Sequence, residues 1–319
     1  MIQRTKNNGR YYAKLMLFGE YSIINKSKAL TVPFKHFSGE LTFIPDNKYT
    51  AYDYAKDSNR QLRDYALYLE EAYRSGELDF SIDIKRLLLD IESGLYFDSS
   101  IPQGYGAGSS GALIAAIYDQ YVTVYAQKAD KLRNQLAFME NFFHGRSSGI
   151  DPLVAWYQEP LLIEDDDFKV VDKPDFISTG KEGLFLIDTA QTSKTQPLVD
   201  FFLEQTKLGN IDSKYLSEIN NRIISAVLGN QMTDFKRLMR ELSQWQLTHM
   251  RKMIPSHMED FWKNGIDQDL YYTKLCGSGG GGFLLGYTHD YNAFLKSAVN
   301  VDYKFIPVQV PEMATFSQK

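Results

Sequence analysis

The chain has 319 residues, 44% hydrophobic and 24% charged, which excludes a mainly disordered polymer and leaves room for two domains of about 150 residues each. Its 35 basic and 40 acidic side chains leave a formal charge of −5 without a dense basic cluster, so nucleic acid and anionic membranes are not expected partners. A single cysteine, Cys276, excludes an internal disulfide framework and a multi-cysteine zinc site.

The polar start, MIQRTKNNGRYYAK, carries no apolar signal region, and no later stretch reaches the ~20 apolar residues of a membrane span, so a cytoplasmic location is expected. Tyr12 to Ile24, Ala29 to Val32 and Gly39 to Ile44 read as strands, and Phe80 to Ile91 as a further β-rich segment. Helical spacing runs over Arg60 to Arg74, Ser110 to Ala126 and Asp130 to Phe143, the last with Asp130 suited to N-capping. Beyond the acidic loop EDDDF (Glu164 to Phe168) come the strand GLFLID and helices near Thr195 to Gln205, Ser213 to Leu228, Met232 to Leu247 and Ser256 to Gly265. A β segment around KLCGSGGGGFLLGY, a short helix near Tyr291 to Val299 and a final strand, YKFIPVQV, complete the chain. The expected domain boundary lies near Asp165 to Gly180, giving domains 1–170 and 171–319.

IPQGYGAGSSGALIAAIY (Ile101 to Tyr118) runs a glycine-rich turn into an apolar helix. Unpaired backbone N–H groups and the helix dipole make an anion its natural guest, and phosphate is the first candidate. The stretch lacks the Lys-[Ser/Thr] ending of a Walker loop and does not fit the dinucleotide pattern. Taken alone, such a loop is more often an ordinary tight turn. Four consecutive glycines, Gly279 to Gly282, make a second loop whose chain entropy is costly unless something must approach the backbone.

AKLMLFGEY places Lys14 and Glu20 on either side of an apolar strand; in isolation they suit a solvated strand-end lysine and a turn glutamate. In company, Lys14 could supply the positive charge the loop lacks. In MENFFHGRSSGIDP, Glu140 lies eleven residues before Asp151 across a glycine-serine turn. Such a pair suits a Mg²⁺ ligand plus a general base, although a single carboxylate here is usually a cap, and His144 at a helix end usually offsets the dipole. Cys276 has no nearby base and reads as packing.

Three motifs in this order, AKLMLFGEYSII, IPQGYGAGSSGAL and KLCGSGGGGFLLG, resemble the superfamily of galactokinase, homoserine kinase, mevalonate kinase and phosphomevalonate kinase, the GHMP kinases. Within it, E…HGRSSGIDP is similar to the mevalonate kinase segment. The resemblance implies an α+β, two-domain fold: an N-terminal α+β nucleotide-binding domain and a C-terminal ferredoxin-like α/β plait. It implies ATP and Mg²⁺ as cofactors and a small-molecule alcohol as substrate, with a monomer or a homodimer both open. Asp151 would take the substrate's proton and Lys14 would stabilise the transferring phosphoryl group. Ser110 and Glu140 would hold Mg²⁺. Gly104, Gly106, Ala107, Gly108, Ser109 and Ser110, with Gly277, Gly279 and Gly280, would bind the nucleotide. Glu20, Tyr21, His144 and Thr195 would face the acceptor.

Two departures bear on the acceptor. Tyr21 stands where mevalonate kinases usually have His, and Ser193 where they often carry an Arg, with Lys194 the nearest substitute cation. The expected activity is phosphorylation of mevalonate at its 5-hydroxyl. The alternatives are another kinase of the superfamily and, from a different class, a non-catalytic sensor on the same fold.

Overall fold

A computed structural model of the chain describes residues 8–44, 52–165, 167–172, 174, 181–298 and 302–308. The chain forms two compact units that are interleaved along the sequence. Unit 1 is Met1–Leu15, Val32–Gln103 and Ala107–Glu159; unit 2 is Met16–Thr31, Gly104–Gly106 and Pro160–Lys319. Strands β1 (Arg10–Phe18) and β2 (Ala29–Phe43) each contribute residues to both.

In unit 1 the later part of β2 pairs antiparallel with β3 (Leu95–Ser99), from Gly39↔Ser99 to Phe43↔Leu95. Helix α1 (Tyr52–Arg74) buries Leu62, Tyr65, Ala66, Leu69 and Ala72, a single stripe at helical spacing. Helix α3 (Ser109–Tyr121) is different: Ala112 and Ile114 to Tyr118 are all buried, as its nearly uniform apolar sequence dictates. It packs between α4 (Ala129–His144) and the equally buried α5 (Ile150–Tyr157), so the helix after the first glycine loop is the centre of this core.

In unit 2, β4 (Leu161–Glu164) pairs with the first residues of β2 and, as a hairpin, with β5 (Asp167–Val170). Three residues of the expected acidic loop therefore lie in this hairpin's strands: Glu164 ends β4, and Asp167 and Phe168 begin β5. A second, four-stranded antiparallel sheet has the order β7-β8-β6-β9, from β6 (Gly183–Asp188), β7 (Tyr271–Leu275), β8 (Phe283–Thr288) and β9 (Lys304–Pro307). Helices α6 (Thr195–Lys207), α7 (Ser213–Leu228), α8 (Met232–His249) and α9 (Glu259–Asp267) lie between β6 and β7, and α10 (Tyr291–Ser297) between β8 and β9. The strand order and the antiparallel pairings are those of the expected ferredoxin-like plait, elaborated by extra helices. Phe185, Tyr271, Phe294 and Phe305 cluster in its core.

Four expectations change. Phe80 to Ile91 is not β-rich: Asp83 caps the amide of Arg86 and starts α2 (Ile84–Glu92), which buries Ile84, Leu87 and Ile91. The strand from Tyr12 ends at Phe18, and Ser22–Asn25 is a 3-10 turn. Ala29 to Val32 and Gly39 to Ile44 belong to one strand, because Pro33 falls between the registers with β4 and β3, where no ladder bond to them is lost. Asp130 sits in the first turn of α4 rather than at its cap. Val299, Gln309, Val310 and much of the stretch from Asp165 to Gly180 lie outside the described residues. No helix among the described residues is long and apolar enough to cross a membrane.

Candidate active site

The site in unit 1 is built where β1, α3, α4 and α5 converge. Lys14, on β1, places its Nζ 2.9 Å from Oδ1 of Asp151 in the first turn of α5. The Lys14 side chain is almost sealed, whereas Asp151 is about one-third open. The backbone N–H of Lys14 donates to the carbonyl of Ala107 at 2.9 Å, tying the end of the first glycine loop to the lysine strand.

Two glycines make this convergence possible. Gly108 has φ 76 and ends the loop as the α3 N-cap; a Cβ there would stand 3.2 Å from Lys14 Cβ and 3.5 Å from Asp151 Oδ2. A Cβ on Gly111 would meet the backbone of Asp151 and Pro152 at 2.6 and 2.7 Å, so only glycine lets α3 pass this close to the start of α5. No side chain caps α3, and its first intrahelical bond runs from Ala112 to Gly108, so the N–H groups of Ser109, Ser110 and Gly111 begin the helix as anion-directed donors.

Ser110 Oγ donates to Glu140 Oε1 at 3.1 Å and lies 2.9 Å from His144 Nε2, both on α4. Ser147 Oγ donates to the other oxygen of Glu140 at 2.5 Å. Burial, and then the negative charge of Asp151, push the Glu140 carboxyl up to about 7, although the two serine hydroxyls and Lys14 oppose the rise. Glu140 is 3% exposed. A buried carboxylate short of positive charge, beside a serine hydroxyl, is a hard-oxygen pair that fits Mg²⁺ better than a softer metal. Among the described residues no three His, Cys, Asp or Glu gather into a metal site, so the protein would supply two ligands and leave the rest to phosphate and water.

Unit 2 holds the second glycine loop. Gly277, Gly279, Gly280 and Gly282 all have φ near +70. Ser193 Oγ donates to the carbonyl of Gly279 at 2.6 Å and Gln191 Nε2 to that of Gly280 at 2.8 Å. Gly106 faces Gly277, its Cβ position 3.8 Å from that Cα, and Gly104 faces Thr192. Thr195, at the start of α6, accepts from Ser278 Oγ at 3.4 Å; Lys194 beside it is exposed. Glu20 forms a buried ion pair with Lys274, and Tyr21 donates to the carbonyl of Ser278.

The structure thus brings Lys14, Gly108, Ser110, Glu140, His144 and Asp151 together in unit 1, and Glu20, Tyr21, Thr195 and the second loop together in unit 2. The sequence reading overlooked Ser147 and Lys274. A lysine inside the buried strand YYTKL is a signal in itself, since such a residue is almost never fully buried without a partner.

Residues 60–159 match the family model described as GHMP kinases N terminal domain. None of the curated proteins matches the sequence. Among solved structures, the Methanococcus jannaschii mevalonate kinase is 19% identical, with a TM-score of 0.61 over 93% of this chain and 96% of that one. The L. major mevalonate kinase in complex with R-mevalonate is 16% identical, with a TM-score of 0.60 over 98% of each chain. The Streptococcus pneumoniae phosphomevalonate kinase in complex with phosphomevalonate and AMPPNP is 15% identical, with a TM-score of 0.61 over 92% and 97%. The chain shares its fold with these kinases, and its residues 60–159 match the model of the GHMP kinase N-terminal domain.

Proposed function

We propose that the protein is an ATP- and Mg²⁺-dependent kinase that phosphorylates a small-molecule alcohol, with the 5-hydroxyl of mevalonate as the leading acceptor. The observation that carries this reading is the 2.9 Å contact between Lys14 and Asp151, set beside the Ser110–Glu140 pair at the start of α3.

Asp151 accepts the proton of the acceptor hydroxyl, and Lys14 steadies the developing alkoxide and the transferring γ-phosphoryl group. Lys14 also orients the Asp151 carboxylate toward that task. Backbone N–H groups from Gly108 to Gly111, with Gly104, Gly106 and Ala107 before them, cradle the phosphates. Ser110 and Glu140 would hold Mg²⁺, which neutralises charge on the β- and γ-phosphates. His144 faces Ser110 and orients its hydroxyl. In unit 2, Gly277, Gly279, Gly280 and Thr195 take part in ligand binding. Phosphoryl transfer is mostly positioning and charge stabilisation, so this small set of groups suffices.

A second acceptor class is supported by Tyr21, whose hydroxyl is spent on the Ser278 carbonyl instead of meeting an acceptor, and by Ser193. Ser193 spends its hydroxyl on Gly279, and no arginine stands there to meet a substrate carboxylate. Coupled ADP release across mevalonate, phosphomevalonate, homoserine and sugars, with the product identified by mass, decides among them. Turnover of another acceptor without mevalonate rejects the leading substrate. Nucleotide binding with no turnover of any acceptor rejects the kinase reading in favour of a sensor.

A further inference from the structure

Glu20 and Tyr21, next to each other after β1, have side chains already committed within unit 2. The Glu20 carboxylate accepts from Lys274 Nζ at 2.7 Å, with the two side chains only 4% and 2% exposed. The same ammonium donates to the carbonyl of Leu275, the last residue of β7, at 2.6 Å. The Tyr21 hydroxyl donates to the carbonyl of Ser278 at 2.6 Å, while its ring lies on Phe202 with centroids 4.6 Å apart. Tyr21 has φ 61 and ψ −40, a positive-φ conformation that a tyrosine keeps only where its contacts hold it.

A buried ion pair is a poor source of stability, because desolvation offsets the attraction and an apolar pair of similar volume commonly does as well. What an apolar pair cannot supply is directional bonding to the backbone at Leu275. The loop that follows is rich in glycine and has little conformational preference of its own, so its shape must be imposed from outside. Gln191 and Ser193 grip its later residues, and Glu20 and Tyr21 grip its beginning.

We infer that Glu20 and Tyr21 are positioning residues rather than substrate ligands: with Lys274 they fix the Leu275–Ser278 entry to the second glycine loop, so that the loop's backbone keeps one orientation toward ligand. The inference deepens the kinase reading and rests on it for its effect on turnover.

The test uses the full chain and three variants. Glu20→Leu/Lys274→Met removes both charges and every bond they make at nearly constant volume. Glu20→Gln alone removes the carboxylate charge but keeps Lys274, its bond to Leu275 and an acceptor for the ammonium. Tyr21→Phe keeps the ring on Phe202 and removes only the bond to Ser278. Amide hydrogen exchange over residues 276–282 should be about tenfold faster in the first and third variants and near wild type in the second, as expected for losing or keeping a buried hydrogen bond. The KM for the acceptor or the nucleotide should rise about tenfold in the same two variants, with kcat changing less. A Tm within a few degrees of wild type separates this from general destabilisation. Loop exchange equal in all three variants and the wild type overturns the inference, whatever the enzyme does. A wild-type protein that phosphorylates no alcohol overturns the kinase reading alone, and the exchange data still decide this one.

Discussion

Asp151 has one partner that matters to the chemistry, Lys14 at 2.9 Å, and an opening to solvent through which a hydroxyl can approach. Asn in its place keeps the shape and a hydrogen-bonding group but cannot take a proton. Asp151→Asn should therefore lower kcat by at least about 10²-fold while nucleotide binding, measured by titration calorimetry, stays near wild type. An Asn enzyme close to wild-type speed would remove Asp151 from the base role.

Glu140 makes a pH prediction whose sign follows from its environment. Its folded carboxyl titrates at about 7, above the ordinary carboxylate range, because it is buried beside Asp151. Below that value it holds a proton that a metal must displace, so Mg²⁺ affinity should rise about tenfold per pH unit up to about 7 and then level off. For the metal-free protein the same shift means that stability is highest below the unfolded carboxylate pKa and is lost as pH rises toward 7, since the folded state binds the proton more tightly. Glu140→Gln should abolish both dependences; an unaltered Mg²⁺ titration in that variant counts against ligation at Glu140. The residues of this cluster were legible because glycine loops and paired carboxylates leave a linear trace. Ser147 left none: its approach to Glu140 depends on how the turn after α4 folds back, and a serine in a glycine-serine turn looks like any other.

At the scale of elements, the crossing of α3 and α5 is the critical joint, and Gly111 is its hinge point in space. A methyl group there meets peptide backbone at 2.6 Å, which cannot rotate aside as a flexible side-chain tip would. Gly111→Ala should cost about 1–3 kcal/mol of stability, the range for overpacking a dense core. It should also reduce kcat, because the strained contact is the backbone of the proposed base itself. A drop in Tm with unchanged kcat would show that the joint can relax without moving Asp151. The neighbouring elements mark the reach of pattern reading. Helix α7 is plain in sequence, since Asp212 caps the amides of Lys214 and Tyr215 and its apolar stripe is regular. Helix α2 was misread because FSIDI carries β-branched and aromatic residues in alternation, a strand signal that a single Asp83 cap and three apolar contacts overrule.

For the whole molecule, the ferredoxin-like order of unit 2 was implied by the resemblance and is compatible with its pattern of strands and helices, but the membership of residues 16–31 in that unit is announced by neither. Nothing local announces that Phe18 will pack against Phe235, that Asn220 will donate to the carbonyl of Lys28, or that Glu20 will neutralise Lys274. These contacts span about two hundred residues or more, and only the assembled core selects them. They make a prediction about a chain beginning at residue 171. Without residues 16–31, Lys274 keeps its place in a buried strand but loses its carboxylate, and an uncompensated buried charge costs about 3–5 kcal/mol. Against a typical total of about 5–15 kcal/mol, that loss together with the exposed faces of Phe202 and Phe235 should leave the fragment without a cooperative urea transition. The charge can be separated from the missing apolar surface: Lys274→Met in the same fragment removes the unpaired ammonium and should recover part of the stability, read as a higher midpoint or a restored transition. A 171–319 fragment that unfolds cooperatively without this substitution would mean that residues 16–31 decorate unit 2 rather than complete it.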